Sequence, residues 1–172
     1  ILVDGVLTLN SSSISNNTGS SGGGIFINGT ATINQSAIVN NTTIGADDGG
    51  GLFVVGTLML TNSTVASNTA ASTGGGIVTS AIAPLAEVII INSTIANNSA
   101  GVSGGGIQVW GGSATVSNTI LANNTFEFEL DGIGAEAANC VGTVNDGGSN
   151  IQWPEFTCTD TIPEIDPLLG PL

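Results

Sequence analysis

The chain has 172 residues, room for one domain or one elongated solenoid, and it holds no Lys, Arg or His against 13 acidic residues, a formal net charge of −13. Without cations it cannot neutralise a phosphate backbone or seat a basic patch on anionic lipid, so nucleic acid and that route to a membrane are excluded, and trypsin-like proteases find nothing to cut. Apolar residues at 41% and a mean hydropathy of +0.40 exclude a charged disordered tail, while 4% aromatics and no Tyr favour a thin core of small and β-branched side chains.

Along the chain, Ile1-Leu2-Val3 begins abruptly in a strand-like run, which predicts that the natural N-terminus has been removed or omitted. Leu7-Thr8-Leu9 then alternates and ends on Asn10; after a polar pair comes one apolar residue, Ile14, and a closing pair, Asn16-Asn17. A glycine triplet, Gly22 to Gly24, opens the apolar stretch Ile25-Phe26-Ile27, and the cycle repeats. Further triplets at Gly49 to Gly51, Gly74 to Gly76 and Gly104 to Gly106 follow at intervals of 27, 25 and 30 residues, opening Leu52-Phe53-Val54, Ile77-Val78 and Ile107-Gln108-Val109. The strand-ending Asn recurs as Asn34, Asn62, Asn92 and Asn118. The single apolar residue recurs as Ile38, Val65, Ile95 and Leu121, and the closing pairs as Asn40-Asn41, Ser67-Asn68, Asn97-Asn98 and Asn123-Asn124. Two independent landmarks in phase define an internal repeat.

Each unit supplies three short strands, with no helix signal, and a lone unit cannot bury its apolar side chains. Stacked units can. The predicted fold is therefore all-β: a right-handed parallel β-helix of about five to six coils over residues 1–125, with like residues about 4.8 Å apart. Ile25, Leu52, Ile77 and Ile107 form one inward column, and Ile14, Ile38, Val65, Ile95 and Leu121 another. Asn10, Asn34, Asn62, Asn92 and Asn118 form a corner ladder, since Asn tolerates left-handed backbone; glycine triplets serve where a Cβ would clash or φ must be positive. The extra residues Gly45 to Asp48 and Ser80 to Glu87 are expected at corners. A β-propeller needs a longer repeat than this.

After Asn124 the pattern changes. Phe126 to Leu130 still alternates, and then Gly, Pro and acids dominate; nine of the 13 acids lie between Glu127 and Asp166. Residues 126–172 are expected to form an irregular terminal coil and acidic cap that covers the last strand edges. Cys140 and Cys158, without CxxC spacing or His, are expected to pair as a disulfide worth about 3 kcal/mol. That places the protein outside the reducing cytosol, extracellular or on a cell surface. No apolar run approaches the ~18 residues of a membrane span.

The runs Gly74-Gly75-Gly76-Ile77, Asn92-Ser93-Thr94-Ile95-Ala96-Asn97-Asn98 and Asn118 to Asn124 resemble the right-handed parallel β-helix repeats of large bacterial surface proteins, and are similar to those of polymorphic outer-membrane proteins. The ending, Cys140, Asn150-Ile151, Cys158 and Ile165 to Leu172, resembles the end of the helix in choice-of-anchor-domain proteins. The resemblance covers essentially the whole chain and implies fold and surface location, not an activity. It also implies further sequence beyond Leu172.

Enzymes share this fold, but its lyases use an Arg or Lys base and its hydrolases need close carboxylates, of which Asp47-Asp48 is the sole adjacent pair. A solvated turn explains that pair more simply, and no catalytic residue is expected. Calcium is the candidate ion, with Asp47, Asp48, Asp131 and Asp146 as weak ligands and Asp160 and Asp166 in similar Gly- or Pro-rich settings; no calcium-loop motif joins them. Asn-x-Ser/Thr sequons such as Asn28, Asn62 and Asn92 are expected by chance in so Asn-rich a chain, and unequal coils argue against a Thr-lined ice-binding face. The expected function is a structural one: an extracellular fibre subunit or adhesin stalk whose partners are further copies of itself, head to tail. The alternative is a module that binds or degrades surface glycans through a groove along one face.

Overall fold

A computed structural model describes residues 1–82, 85–127, 135–155 and 157–170. Among these there is no helix, and the chain winds as a parallel β-solenoid of about five turns. The first coil carries β1 (Leu2–Val3), β2 (Val6–Asn10), β3 (Ser13–Ser15) and β4 (Thr18–Gly19). The second carries β5 (Ile25–Ile27), β6 (Thr30–Asn34), β7 (Ala37–Val39) and β8 (Thr42–Thr43); the third β9 (Leu52–Val54), β10 (Thr57–Thr61), β11 (Thr64–Ala66) and β12 (Thr69–Ala70). The fourth carries β13 (Ile77–Thr79), β14 (Glu87–Ile91), β15 (Thr94–Ala96) and β16 (Ser99–Ala100), and the fifth β17 (Ile107–Val109), β18 (Ser113–Ser117), β19 (Ile120–Ala122) and β20 (Thr125–Glu127). A last partial coil holds β21 (Ala135–Ala137), β22 (Cys140–Val141), β23 (Val144–Asp146) and β24 (Ile151–Trp153).

Corresponding strands stack into four six-stranded sheets, which we call A to D in coil order. Each coil thus has four strands rather than the three expected. The fourth, in sheet D, is two residues long in β4, β8, β12 and β16, too short and too polar to show an apolar alternation. Every pairing is parallel except β20 with β21, where the chain reverses at the last coil.

The core is a narrow tube. Ile25, Leu52, Ile77 and Ile107 align in sheet A, and Ile14, Ile38, Val65, Ile95 and Leu121 in sheet C, as expected. All are fully buried except Ile14 in the first coil. Burying one such side chain is worth about 1.5–3 kcal/mol, so stacking supplies what no single coil can.

Left-handed residues make two of the corners. Asn16, Asn40, Ser67, Asn97 and Asn123 lie at φ between 54° and 56° and turn the chain from sheet C to sheet D. Ser11, Gln35, Asn62, Asn92 and Asn118, at φ between 46° and 52°, turn it from sheet B to sheet C. This second set corrects the expected ladder. Asn10 and Asn34 stand one position earlier, at the ends of β2 and β6, in register with Thr61, Ile91 and Ser117.

Coil length varies only in loops. Residues 44–48 bulge between sheets D and A. Residues 80–82 and 85–86 lie between sheets A and B, Glu87 being the first residue of β14. Sheet B pairs five residues to five from β2 through β18 across both interruptions.

Candidate functional site

Three features of the described residues carry polar chemistry: an amide ladder inside the solenoid, the outer surface of sheet A with the turns beside it, and the disulfide-pinned end.

The ladder runs through the second residue of each closing pair. The Asn17 Nδ2 donates to Asn41 Oδ1, and the same link continues through Asn68, Asn98, Asn124 and Asn139 at 2.9–3.0 Å. Each Oδ1 also accepts the backbone N–H of the Asn one coil earlier, as from Asn41 to Asn68 at 2.9 Å. From Asn41 to Asn124 each Nδ2 also donates to a carbonyl of the inner sheet C column, as from Asn68 to Ile38 at 2.9 Å. All five from Asn41 onward are completely buried. A buried amide is tolerable only when such bonds replace water, and among the described residues no buried side-chain N or O lacks a partner.

The glycine triplets make room for this ladder. A Cβ on Gly51 would come 2.6 Å from the Gly76 carbonyl oxygen and 3.1 Å from Asn68 Nδ2, and Gly76 stands in the same relation to Asn98. Gly49, the first of its triplet, lies at φ 72°. The triplet and the closing Asn pair, read from the sequence as separate landmarks, are two halves of one packing arrangement. A hydroxyl ladder runs at the corner between sheets B and C: Ser36, Ser63 and Ser93 each accept the N–H of the preceding coil's Ser, and Asn150 Oδ1 accepts that of Thr119.

The expected ladder at the other corner exists in part, outside rather than within. Asn118, Asn92 and Asn62 each donate to the Asn before them, ending on Asn34 Oδ1, all at exposed or half-buried positions; Asn10 takes no part. Of the sequons, Asn62 and Asn92 belong to this chain, and Asn28 donates to Asp4 Oδ1 at 3.2 Å.

On sheet A the outward column reads Leu2, Phe26, Phe53, Val78, Gln108 and Val141. Phe26 and Phe53 stack with ring centroids 5.1 Å apart. A groove of about 540 Å³ at the first coil is lined by Ile1, Leu2, Thr18, Ser21, Gly22 and Phe26. Two coils on, Asp48 Oδ1 accepts from both the backbone N–H and the hydroxyl of Thr73, at 2.9 and 2.8 Å. The Thr73 Oγ1 in turn accepts the indole N–H of Trp110 at 3.1 Å.

The calcium candidates do not converge. Asp47 offers its carbonyl to Thr43 Oγ1, Asp48 is engaged with Thr73, and Asp146 lies at another corner; Asp131 lies outside the described residues, as do Phe128 to Leu130. Among the described residues no three acids, Cys or His group together. The N–H of Gly148, donating to Asp146 Oδ1 at 2.8 Å, holds that carboxyl below its ordinary value against the opposing effect of burial, with lesser help from side-chain bonds of Asn150 and Thr161.

Cys140 and Cys158 form a disulfide. It ties β22 to the segment that crosses the last coil, where the buried Gln152 ends the Ile column by donating to the carbonyls of Thr159 and Ile162. The side chain of Ile162 plugs the end of the core. In the first coil Leu2 and Val6 are 67% and 82% exposed. No helix among the described residues is long and apolar enough to cross a membrane.

No family model, no curated protein and no solved structure matches this chain. The class that the geometry defines is a parallel β-solenoid repeat protein.

Proposed function

We propose that the chain is an extracellular structural protein, a β-solenoid fibre subunit or adhesin stalk akin to bacterial surface β-helix proteins, with no catalytic role. One observation carries the reading: the polar interior of the solenoid is spent on continuous ladders from coil to coil, which suit a stiff rod and leave no convergent reactive group among the described residues. A disulfide is compatible with an oxidising compartment, and a surface without cations resists trypsin-like cleavage. Head-to-tail assembly would stack the coils of one copy on those of the next through their parallel strand edges.

Negative-stain microscopy of the purified chain, with small-angle scattering at several concentrations, tests this. The expected result is straight rods that lengthen with concentration. Dispersed short monomers under all conditions would remove the filament, and a compact outline in scattering would remove the stalk as well.

A further inference from the structure

Trp110 is 56% exposed, yet its indole is not free to wander. Its N–H is held at 3.1 Å by Oγ1 of Thr73, a residue 3% exposed, whose hydroxyl itself donates to Asp48 Oδ1 at 2.8 Å. Three consecutive members of one relay thus fix an exposed aromatic plane in a single orientation. A solvent-exposed indole needs no buried hydroxyl and carboxylate for its N–H, because water would serve. Fixing it removes the rotamer entropy that a ligand would otherwise have to overcome.

The surroundings say what such a plane suits. Gly111 and Gly112 follow Trp110 and let the chain pass close against the backbone of Ser80, Ala81 and Ala86, where a Cβ would collide. Ser103 is half-buried, with its hydroxyl donating to Gln108 Oε1 at 2.7 Å, and Asp48 Oδ2 makes no hydrogen bond among the described residues. Leu85, exposed, supplies an apolar rim next to Gly111. A flat apolar face bordered by a carboxylate and hydroxyls matches a pyranose ring, whose C–H face is apolar and whose edge is all hydroxyl. Charge narrows the class. With 13 acids and no cation the chain repels uronate and sulfate sugars.

We propose that Trp110, oriented by Thr73 and flanked by Asp48, is a binding platform for uncharged glycans on the flank of the solenoid, independent of whether the rods assemble into filaments. Trp110 is the contact residue and Thr73 a positioning residue. The test titrates the full chain with cellohexaose, xylohexaose, mannohexaose and chitohexaose by calorimetry. Indole emission is followed in parallel in a Trp153→Phe background, so that only Trp110 reports. The expected result is saturable binding to at least one of the four, accompanied by an emission shift. Trp110→Ala should weaken it at least tenfold. Thr73→Val, which keeps the volume but cannot accept the indole N–H, should weaken it three- to tenfold with the circular dichroism unchanged. Polygalacturonate should not compete. Absence of saturable binding to all four sugars would overturn the proposal, as would affinity untouched by Thr73→Val. So would self-association that Trp110→Ala abolishes, which would assign the indole to a protein contact.

Discussion

Replacing Asn68 by Ala should be among the most damaging single changes in the solenoid, although it removes no apolar packing. Its amide makes four bonds: Nδ2 to the Ile38 carbonyl and to Asn98 Oδ1, and Oδ1 from the backbone N–H and Nδ2 of Asn41. Alanine leaves the Asn41 N–H with no acceptor and strips one bond from each of the other three groups, all completely buried in the middle of the stack. At about 1–3 kcal/mol for each buried group left unsatisfied, two or three effective losses amount to about 3–6 kcal/mol. The same substitution at Asn17 should cost under about 1 kcal/mol, because that side chain is exposed and its Oδ1 accepts nothing among the described residues. Asn62→Gly, which keeps the left-handed corner and removes only the outer chain of amides, should cost about 0.5 kcal/mol or less. Urea unfolding at neutral pH, with the disulfide intact, would measure all three. If Asn68→Ala costs no more than Asn17→Ala, the inner ladder is not what holds coil to coil and the reasoning fails.

The glycine contacts give a second contrast: Gly51→Ala should cost about 2–3 kcal/mol, through collision with the Gly76 carbonyl oxygen and the ladder amide, while Gly5→Ala, with nothing near its Cβ position, should leave the urea midpoint unchanged. Removing the disulfide as Cys140→Ser with Cys158→Ser should lower stability by about 3 kcal/mol, and hydrogen exchange should rise first at Gln152 and Ile162. Asp146 titrates below its ordinary value in the fold, so its contribution is complete above that value and is lost as pH falls through the lowered one. Asp146→Asn should therefore lower stability modestly at pH 7, where the contribution is complete, and converge on the unsubstituted chain at acid pH, flattening the acid limb of a stability–pH curve; an unaltered acid limb would show that other carboxyls dominate there.

The stacking was legible because two landmarks recur in phase, and the inner columns beginning at Ile14 and Ile25 follow directly from it. What misled was local. In the first two coils an Asn ends β2 and β6, while in the next three it occupies the left-handed position one residue later, where Ser11 and Gln35 stand instead. Composition alone cannot separate those registers, since Asn suits both. The inner ladder lay within the quoted closing pairs, but which member faces inward depends on the left-handed turn at the first, a backbone fact. Sheet D was missed because pairs such as Thr18-Gly19 and Ser99-Ala100 carry too little hydrophobic pattern. Trp110 gave no signal at all; its exposure and its link to Thr73, 37 residues away, exist only once the coils are stacked.

Because sheet B keeps its pairing from Val6 to Ser117 although extra residues stand between β8 and β9 and between β13 and β14, the rungs do not record how much chain is spent at those two corners. Segments there can lengthen, shorten or change chemistry without shifting the position of any interior Ile or Asn. The molecule is in that sense a chassis with two mounting points per turn, one of them next to the indole, and new recognition surfaces could be exchanged on it while the frame stays the same.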